Sequence, residues 1–124
     1  FGYGLSYTDF EYGDIELSAQ HKERGKSVTA SITVTNVGER DGAEVVQLYI
    51  RDVVGSITRP VKELKGFRKI FLRAGERETV TFDITDDMLS FYDYDLNRVA
   101  EQGDFDIMIG ADSRTVKTAR LTLK

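Results

Sequence analysis

The sequence predicts an all-β domain built as a sandwich of two sheets. Three observations lead there. Apolar residues recur at every second position in several separate runs, a turn-forming cluster closes each run, and the chain has the size of one domain. A period of two puts one face of a strand in a core and the other in water, whereas a surface helix repeats every three to four residues. The chain has 124 residues, 40% of them hydrophobic and 31% charged, with a single proline. That length suits one core, and that composition is globular rather than disordered.

The runs follow one another along the chain. Ile15 and Leu17 alternate with Asp14, Glu16 and Ser18. Val28, Ala30, Ile32 and Val34 alternate with Thr29, Ser31, Thr33 and Thr35, the cleanest pattern present. In residues 43–51 the core set is Val46, Leu48 and Ile50. The opposite face carries Val45, Gln47 and Tyr49, more apolar than water-facing positions usually are, so this strand is expected to be covered on both sides. In residues 67–72 the period breaks, because Phe67, Ile70 and Leu72 cannot share a face without a bulge near Arg68-Lys69. Val80, Phe82 and Ile84, then Phe105, Ile107 and Ile109, then Ala119, Leu121 and Leu123 complete the set.

Turns fall between the runs at Arg24-Gly25-Lys26, Gly38-Glu39-Arg40-Asp41-Gly42, Gly55-Ser56, Ala74-Gly75-Glu76, Gln102-Gly103-Asp104 and Gly110-Ala111-Asp112-Ser113. About seven strands with such spacing describe an immunoglobulin or fibronectin type III-like two-sheet sandwich. Asp86-Asp87 is placed to cap one helical turn over residues 88–91. Pro60 stiffens a connection or lies on a sheet edge. Residues 1–13, rich in Gly and Tyr, read as a junction arm, and residues 14–124 as the sandwich itself.

The net charge of −4 argues against nucleic acid and against an anionic membrane surface as partners, since both require a basic face. The absence of cysteine removes disulfides, thiolate nucleophiles and cysteine-held zinc. No stretch is apolar enough to span a bilayer as a helix. The opening Phe1-Gly2-Tyr3-Gly4-Leu5-Ser6-Tyr7 lacks the basic start and apolar run of a signal peptide. With no initiator Met, the chain is expected to be a piece of a longer protein.

Catalytic chemistry finds few candidates. His21 is the single histidine and sits among Gln20, Lys22, Glu23 and Arg24, which places it in a charged surface hairpin without the partners a triad or metal site needs. Asp83, Asp86, Asp87, Asp93 and Asp95 cluster in sequence, but calcium needs a loop that converges six or more oxygens. A glycosidase pair must flank a cleft. Capping and solvated turns are the expected roles of these carboxylates, and no cofactor and no metal are expected. Tyr3, Tyr7, Phe10, Tyr12, Phe91, Tyr92 and Tyr94 lie outside the clean strands. Sugar stacking is one use for them; packing over sheet edges or against a neighbouring domain is the one their clustering favours. In Thr58-Arg59-Pro60-Val61-Lys62-Glu63-Leu64-Lys65-Gly66-Phe67, Lys and Pro read as protection of a sheet edge rather than as a basic groove, because Glu63 interrupts the cations.

Several of these segments together resemble the C-terminal fibronectin type III-like domain of glycoside hydrolase family 3 enzymes. Phe1-Gly2-Tyr3-Gly4-Leu5-Ser6-Tyr7-Thr8-Asp9-Phe10 is similar to the junction entering that domain. The run from Thr33-Val34-Thr35-Asn36-Val37-Gly38 to Val45-Val46-Gln47-Leu48-Tyr49 is similar to its second and third strands. Arg59-Pro60-Val61-Lys62-Glu63-Leu64-Lys65-Gly66-Phe67 resembles its most distinctive segment, Ala74-Gly75-Glu76 followed by Val80-Thr81-Phe82 its next turn and strand, and Gly103-Asp104-Phe105-Asp106-Ile107-Met108-Ile109-Gly110-Ala111-Asp112-Ser113 its close. Met88-Leu89-Ser90-Phe91-Tyr92-Asp93 and Arg114-Thr115-Val116-Lys117 most resemble the periplasmic bacterial β-glucosidases of that family.

The resemblance implies a parent that removes terminal β-linked glucose or xylose from oligosaccharides with retention, in the periplasm or secreted. Its nucleophilic aspartate and its acid/base glutamate belong to preceding domains, so no catalytic residue carries over to this chain. The implied role is a brace for the catalytic domains of the same polypeptide, with oligosaccharide as a further partner. The docking surface expected for it joins the arm residues Phe1, Tyr3, Tyr7 and Phe10 to Val45, Gln47 and Tyr49, with Arg59 beside them. Two other readings stay open: an autonomous carbohydrate-binding module, and a sandwich that binds another protein.

Overall fold

A computed structural model describes residues 10–23, 25–53, 62–89, 91–92, 98–99, 103–111 and 116–124. In chain order the strands are β1 (Phe10–Tyr12), β2 (Glu16–Leu17), β3 (His21–Lys22), β4 (Val28–Asn36), β5 (Gly42–Asp52), β6 (Lys62–Leu72), β7 (Arg77–Ile84), β8 (Phe91–Tyr92), β9 (Arg98–Val99), β10 (Gly103–Gly110) and β11 (Val116–Leu123). One sheet is centred on β4, with β7 along one edge and β1 and β2 sharing the other. The second sheet runs β3-β11-β10-β5-β6, and β8 and β9 pair by themselves. The all-β two-sheet sandwich read from the alternation is the fold observed.

The core lies between the two sheets. Strict alternation in β4 turns Val28, Ala30, Ile32 and Val34 inward, where they meet Leu48, Ile50, Phe105, Ile107 and Leu121 in one buried cluster. On the water face of the same strand Ser31 bonds Thr81 at 3.1 Å and Thr33 bonds Thr79 at 3.2 Å. Such cross-strand hydroxyl pairs fix the register while the aliphatic face supplies the burial. β10 is different: its last six residues are all buried, because it lies in the middle of its sheet and its outer side chains are covered as well.

Asn36 closes the end of the sandwich. Its side-chain amide donates to the carbonyls of Arg40 (2.8 Å) and Leu72 (3.1 Å), and its Oδ1 accepts from the Gly38 amide at 2.9 Å. Its backbone N–H donates to the Glu76 carbonyl, and its carbonyl accepts from the Gly75 amide, both at 2.8 Å. Gly75 has a φ of 82°, a conformation that a side chain strains. A fully buried polar residue is tolerated here because its groups are satisfied.

Three local expectations are corrected. The bulge in β6 lies at Lys65, between the pairs Leu48–Gly66 and Tyr49–Leu64, not near Arg68-Lys69. Phe67 therefore does not join Ile70 and Leu72 in the core; it faces outward at 66% exposure. The turn at residues 86–89 is capped by Thr85, whose Oγ1 accepts from the Met88 amide at 3.3 Å, and strand β8 begins at Phe91. His21 is exposed, as expected, but it sits in an edge strand. β3 pairs in parallel with β11, where the Thr122 amide donates to the Gln20 carbonyl at 3.0 Å and the Lys124 amide to the Lys22 carbonyl at 2.8 Å.

Lys22, next to His21, is buried. Its ammonium pairs with Asp86, whose other carboxylate oxygen accepts from the Gly25 amide at 2.8 Å. Asp86 thus ties the β3–β4 connection to the turn after β7.

Candidate functional site

The outer face of the five-stranded sheet carries the side chains that the fold itself does not use. Alternation in β5 points Val46, Leu48 and Ile50 to the core and leaves Val45, Gln47, Tyr49 and Arg51 on the opposite side. Register places Phe67 beside Gln47, Lys69 beside Val45, Phe71 beside Ala43 and, across the bulge, Leu64 beside Tyr49. On the other flank Met108 stands beside Tyr49, and Thr118 beside Met108. Phe67, Phe71, Leu64 and Val45 are 66%, 62%, 52% and 39% exposed, and they make up all but one of the large exposed hydrophobic residues among those described. Isolated exposed apolar residues are ordinary, but four on one continuous face are not.

One end of this face is charged. Asp106 in β10 lies between Arg51 of β5 and Arg120 of β11, each its register partner. Its Oδ2 accepts from Arg51 at 2.6 Å and its Oδ1 from Arg120 at 2.9 Å. Arg120 also reaches Asp104 at 3.3 Å, and Thr122 donates to the same carboxylate at 2.7 Å. The ladder satisfies a buried carboxylate and orients two half-exposed guanidinium groups outward. Burial alone pushes the Asp106 carboxyl up, but the hydrogen bonds from Arg51 and Arg120 and their positive charges outweigh it and hold it below the usual aspartate value. A lowered folded-state value means that Asp106 contributes stability above its unfolded-state value and loses it as the pH falls through the folded-state value. The expected outcome is an acid unfolding limb that becomes shallower in Asp106→Asn, read from urea midpoints between neutral pH and pH about 2.

The residues expected to dock are thus partly placed. Val45, Gln47 and Tyr49 share one face, and the Tyr49 hydroxyl donates to the Gln47 side-chain oxygen. Phe10 belongs to the other sheet and packs, partly buried, against the core. Phe1, Tyr3, Tyr7 and Arg59 lie outside the described residues. Leu64, Phe67 and Phe71 were not expected on the face, since the misplaced bulge hid their direction. The signal that could have found them is the pair Phe67 and Phe71, four residues apart and so on one side of a regular strand.

No arrangement for bond-breaking chemistry stands out among the described residues. A shallow groove of about 330 Å³ beside β2 and β11 is lined by Ile15, Leu17, Gln20, His21 and Arg120 and has no carboxylate in its lining. Asp14 and Glu16 line another groove together with Ser31 and Thr79, but the Asp14 side chain is 97% exposed, a poor setting for a general acid. Among the described residues, no group of three or more His, Asp or Glu side chains is placed to hold a metal ion. Asp83, Asp86 and Asp87 are spread over a strand end and a turn, and Asp93 and Asp95 lie outside the described residues.

Comparison with known proteins adds the context that the face lacks by itself. A family model described as "Fibronectin type III-like domain" matches residues 44–113. The chain is 50% identical to a periplasmic β-glucosidase of Salmonella typhimurium, a match covering 99% of this chain and 16% of that protein. It is 44% identical to a β-xylosidase of Formosa agariphila, covering 100% of this chain and 17% of that one. Among solved structures, a β-glucosidase from Listeria innocua in complex with gluconolactone aligns with 99% of this chain and 17% of its own, at 41% identity and a TM-score of 0.86. The chain therefore spans about a sixth of the length of these relatives.

Proposed function

The chain belongs to the fibronectin type III-like domain family, and from that premise we propose that it is a non-catalytic accessory domain of a retaining β-glycosidase, bracing the catalytic domains of the same polypeptide. The observation that carries this reading is the pattern of coverage: relatives named as β-glucosidase and β-xylosidase contain nearly all of this chain, and it makes up only about a sixth of each. The parent would act on oligosaccharides with terminal β-linked glucose or xylose. A location outside the cytoplasm, in the periplasm or secreted, follows the name of the Salmonella relative.

In this reading residues 14–124 form the brace and residues 1–13 the arm that joins it to the preceding domain. Docking uses the part of the arm before β1 together with the face at Val45, Gln47 and Tyr49. A brace acts on catalysis at a distance, because active-site groups lose effectiveness when displaced by about 1 Å. Rigid placement of the supporting domain therefore affects rate without any contact with substrate. An autonomous carbohydrate-binding module would call for a flat row of exposed tyrosines; on this face Tyr49 is half-buried and bonded to Gln47.

The test is Tyr49→Ala in the full-length enzyme, assayed on an aryl β-glucoside and an aryl β-xyloside with thermal unfolding in parallel. A loss of kcat/KM of about threefold or more, with a lowered midpoint, is expected. Unchanged kinetics together with unchanged unfolding would remove the support for the brace.

A further inference from the structure

We propose that the edge strand β6 is the centre of the domain's docking contact, and that its partner is a surface of the same polypeptide combining an apolar trough with carboxylates along its rim. This rests on the accessory-domain reading and adds to it which strand makes the contact and what chemistry receives it.

Two observations carry the inference. The first is apolar area without cover. Phe67 and Phe71 are more than half exposed on the same side of β6, and Leu64 and Val45 extend the strip on either side. Among the described residues β6 is also the outermost strand of its sheet, with no further strand beyond it. A long, exposed, hydrophobic edge is a hazard that soluble domains avoid unless something covers it.

The second observation is charge. The chain as a whole carries −4, yet β6 and the residue after it hold Lys62, Lys65, Arg68, Lys69 and Arg73 against the single Glu63, which pairs with the largely buried Lys65 at 2.9 Å, while Arg68 donates to the Thr81 carbonyl at 3.0 Å. Lys69 stands on the same row as Phe67 and Phe71, between them. A second copy of this chain would bring these like charges together, which disfavours self-association through β6. An acidic rim around an apolar trough is the complement that pairs Lys69 and accepts both phenyl rings.

The test is hydroxyl-radical footprinting of the full-length protein, with Phe105 as a buried reference of the same residue type. Phe67 and Phe71 are expected to oxidise within about twofold of the Phe105 rate, and oxidation about tenfold faster than Phe105 would overturn the inference. In Lys69→Glu both rings are expected to label about tenfold faster than in the unmodified protein, since charge reversal opposes an acidic rim; unchanged protection would overturn the acidic partner. Protection of Tyr49 with rapid labelling of Phe67 and Phe71 would overturn this inference alone. Rapid labelling of all three would overturn the accessory-domain reading as well.

Discussion

Replacing Asp86 with alanine is expected to destabilise the domain by about 2–3 kcal/mol, whereas Lys22→Met is expected to change stability by less than about 1 kcal/mol. The asymmetry follows from burial. The Lys22 side chain is 0% exposed and the Asp86 side chain 38% exposed. Removing the carboxylate strands an ammonium where water does not reach it, and a buried charge without its counter-charge is strongly unfavourable. Removing the ammonium leaves a carboxylate with access to water and with the Gly25 amide still donating to it. Methionine fills the channel of the lysine stem with an apolar chain of similar length. The Asp86 figure is set below the usual range for a broken buried pair because of that partial exposure. Urea unfolding of both variants in the same buffer measures it, and equal losses would show that the pair is held for some reason other than the burial of Lys22.

Asn36→Ala is expected to cost about 3 kcal/mol, from side-chain hydrogen bonds worth about 1 kcal/mol each and the added penalty of a buried carbonyl left unpaired. The carbonyl at stake is that of Leu72, at the end of β6, which the Asn36 amide reaches at 3.1 Å in a buried setting. Asn36→Asp separates the two parts of the effect. It keeps the acceptor for the Gly38 amide but sets a carboxylate against the carbonyls of Arg40 and Leu72. The aspartate variant should therefore be no more stable than the alanine variant at neutral pH and should recover as the pH falls and the acid becomes a donor. An aspartate variant as stable as the starting protein at neutral pH would show that the amide donors contribute little.

Much of the sandwich was legible because alternation is a direct readout of burial on one side. In β4 all five positions of the inward phase are buried, and every intervening position is not. The same logic read β7 and the inward set of β10. It failed where a residue's neighbours in space differ from its neighbours in sequence. Lys22 stands in a run of polar and charged residues, and nothing local says that Asp86, 64 positions away, will draw it inside. Asp106 alternates like a solvent residue, yet it is only 3% exposed because arginines from both adjacent strands close over it. The bulge was anticipated but displaced: pairing with β5, which the sequence of β6 alone does not contain, sets it at Lys65. The apolar character of Val45, Gln47 and Tyr49 was readable, whereas its continuation across Leu64, Phe67 and Phe71 depended on that register.

The parallel pairing of β3 with β11 has a mechanical consequence. It sets the chain's early edge strand beside its last, with backbone bonds from Thr122 and Lys124 to the carbonyls of Gln20 and Lys22. Tension applied between the two ends of the domain would pull these strands past one another along their length. The bridging bonds then share the load as a group and do not open one at a time, as they do when a hairpin is peeled apart. The Lys22 ammonium, anchored at Asp86, adds a side-chain bolt to the same joint. Strain passed along the polypeptide would first load the short pairings of β1 and β2 with β4, and then this seam, where the bonds act together.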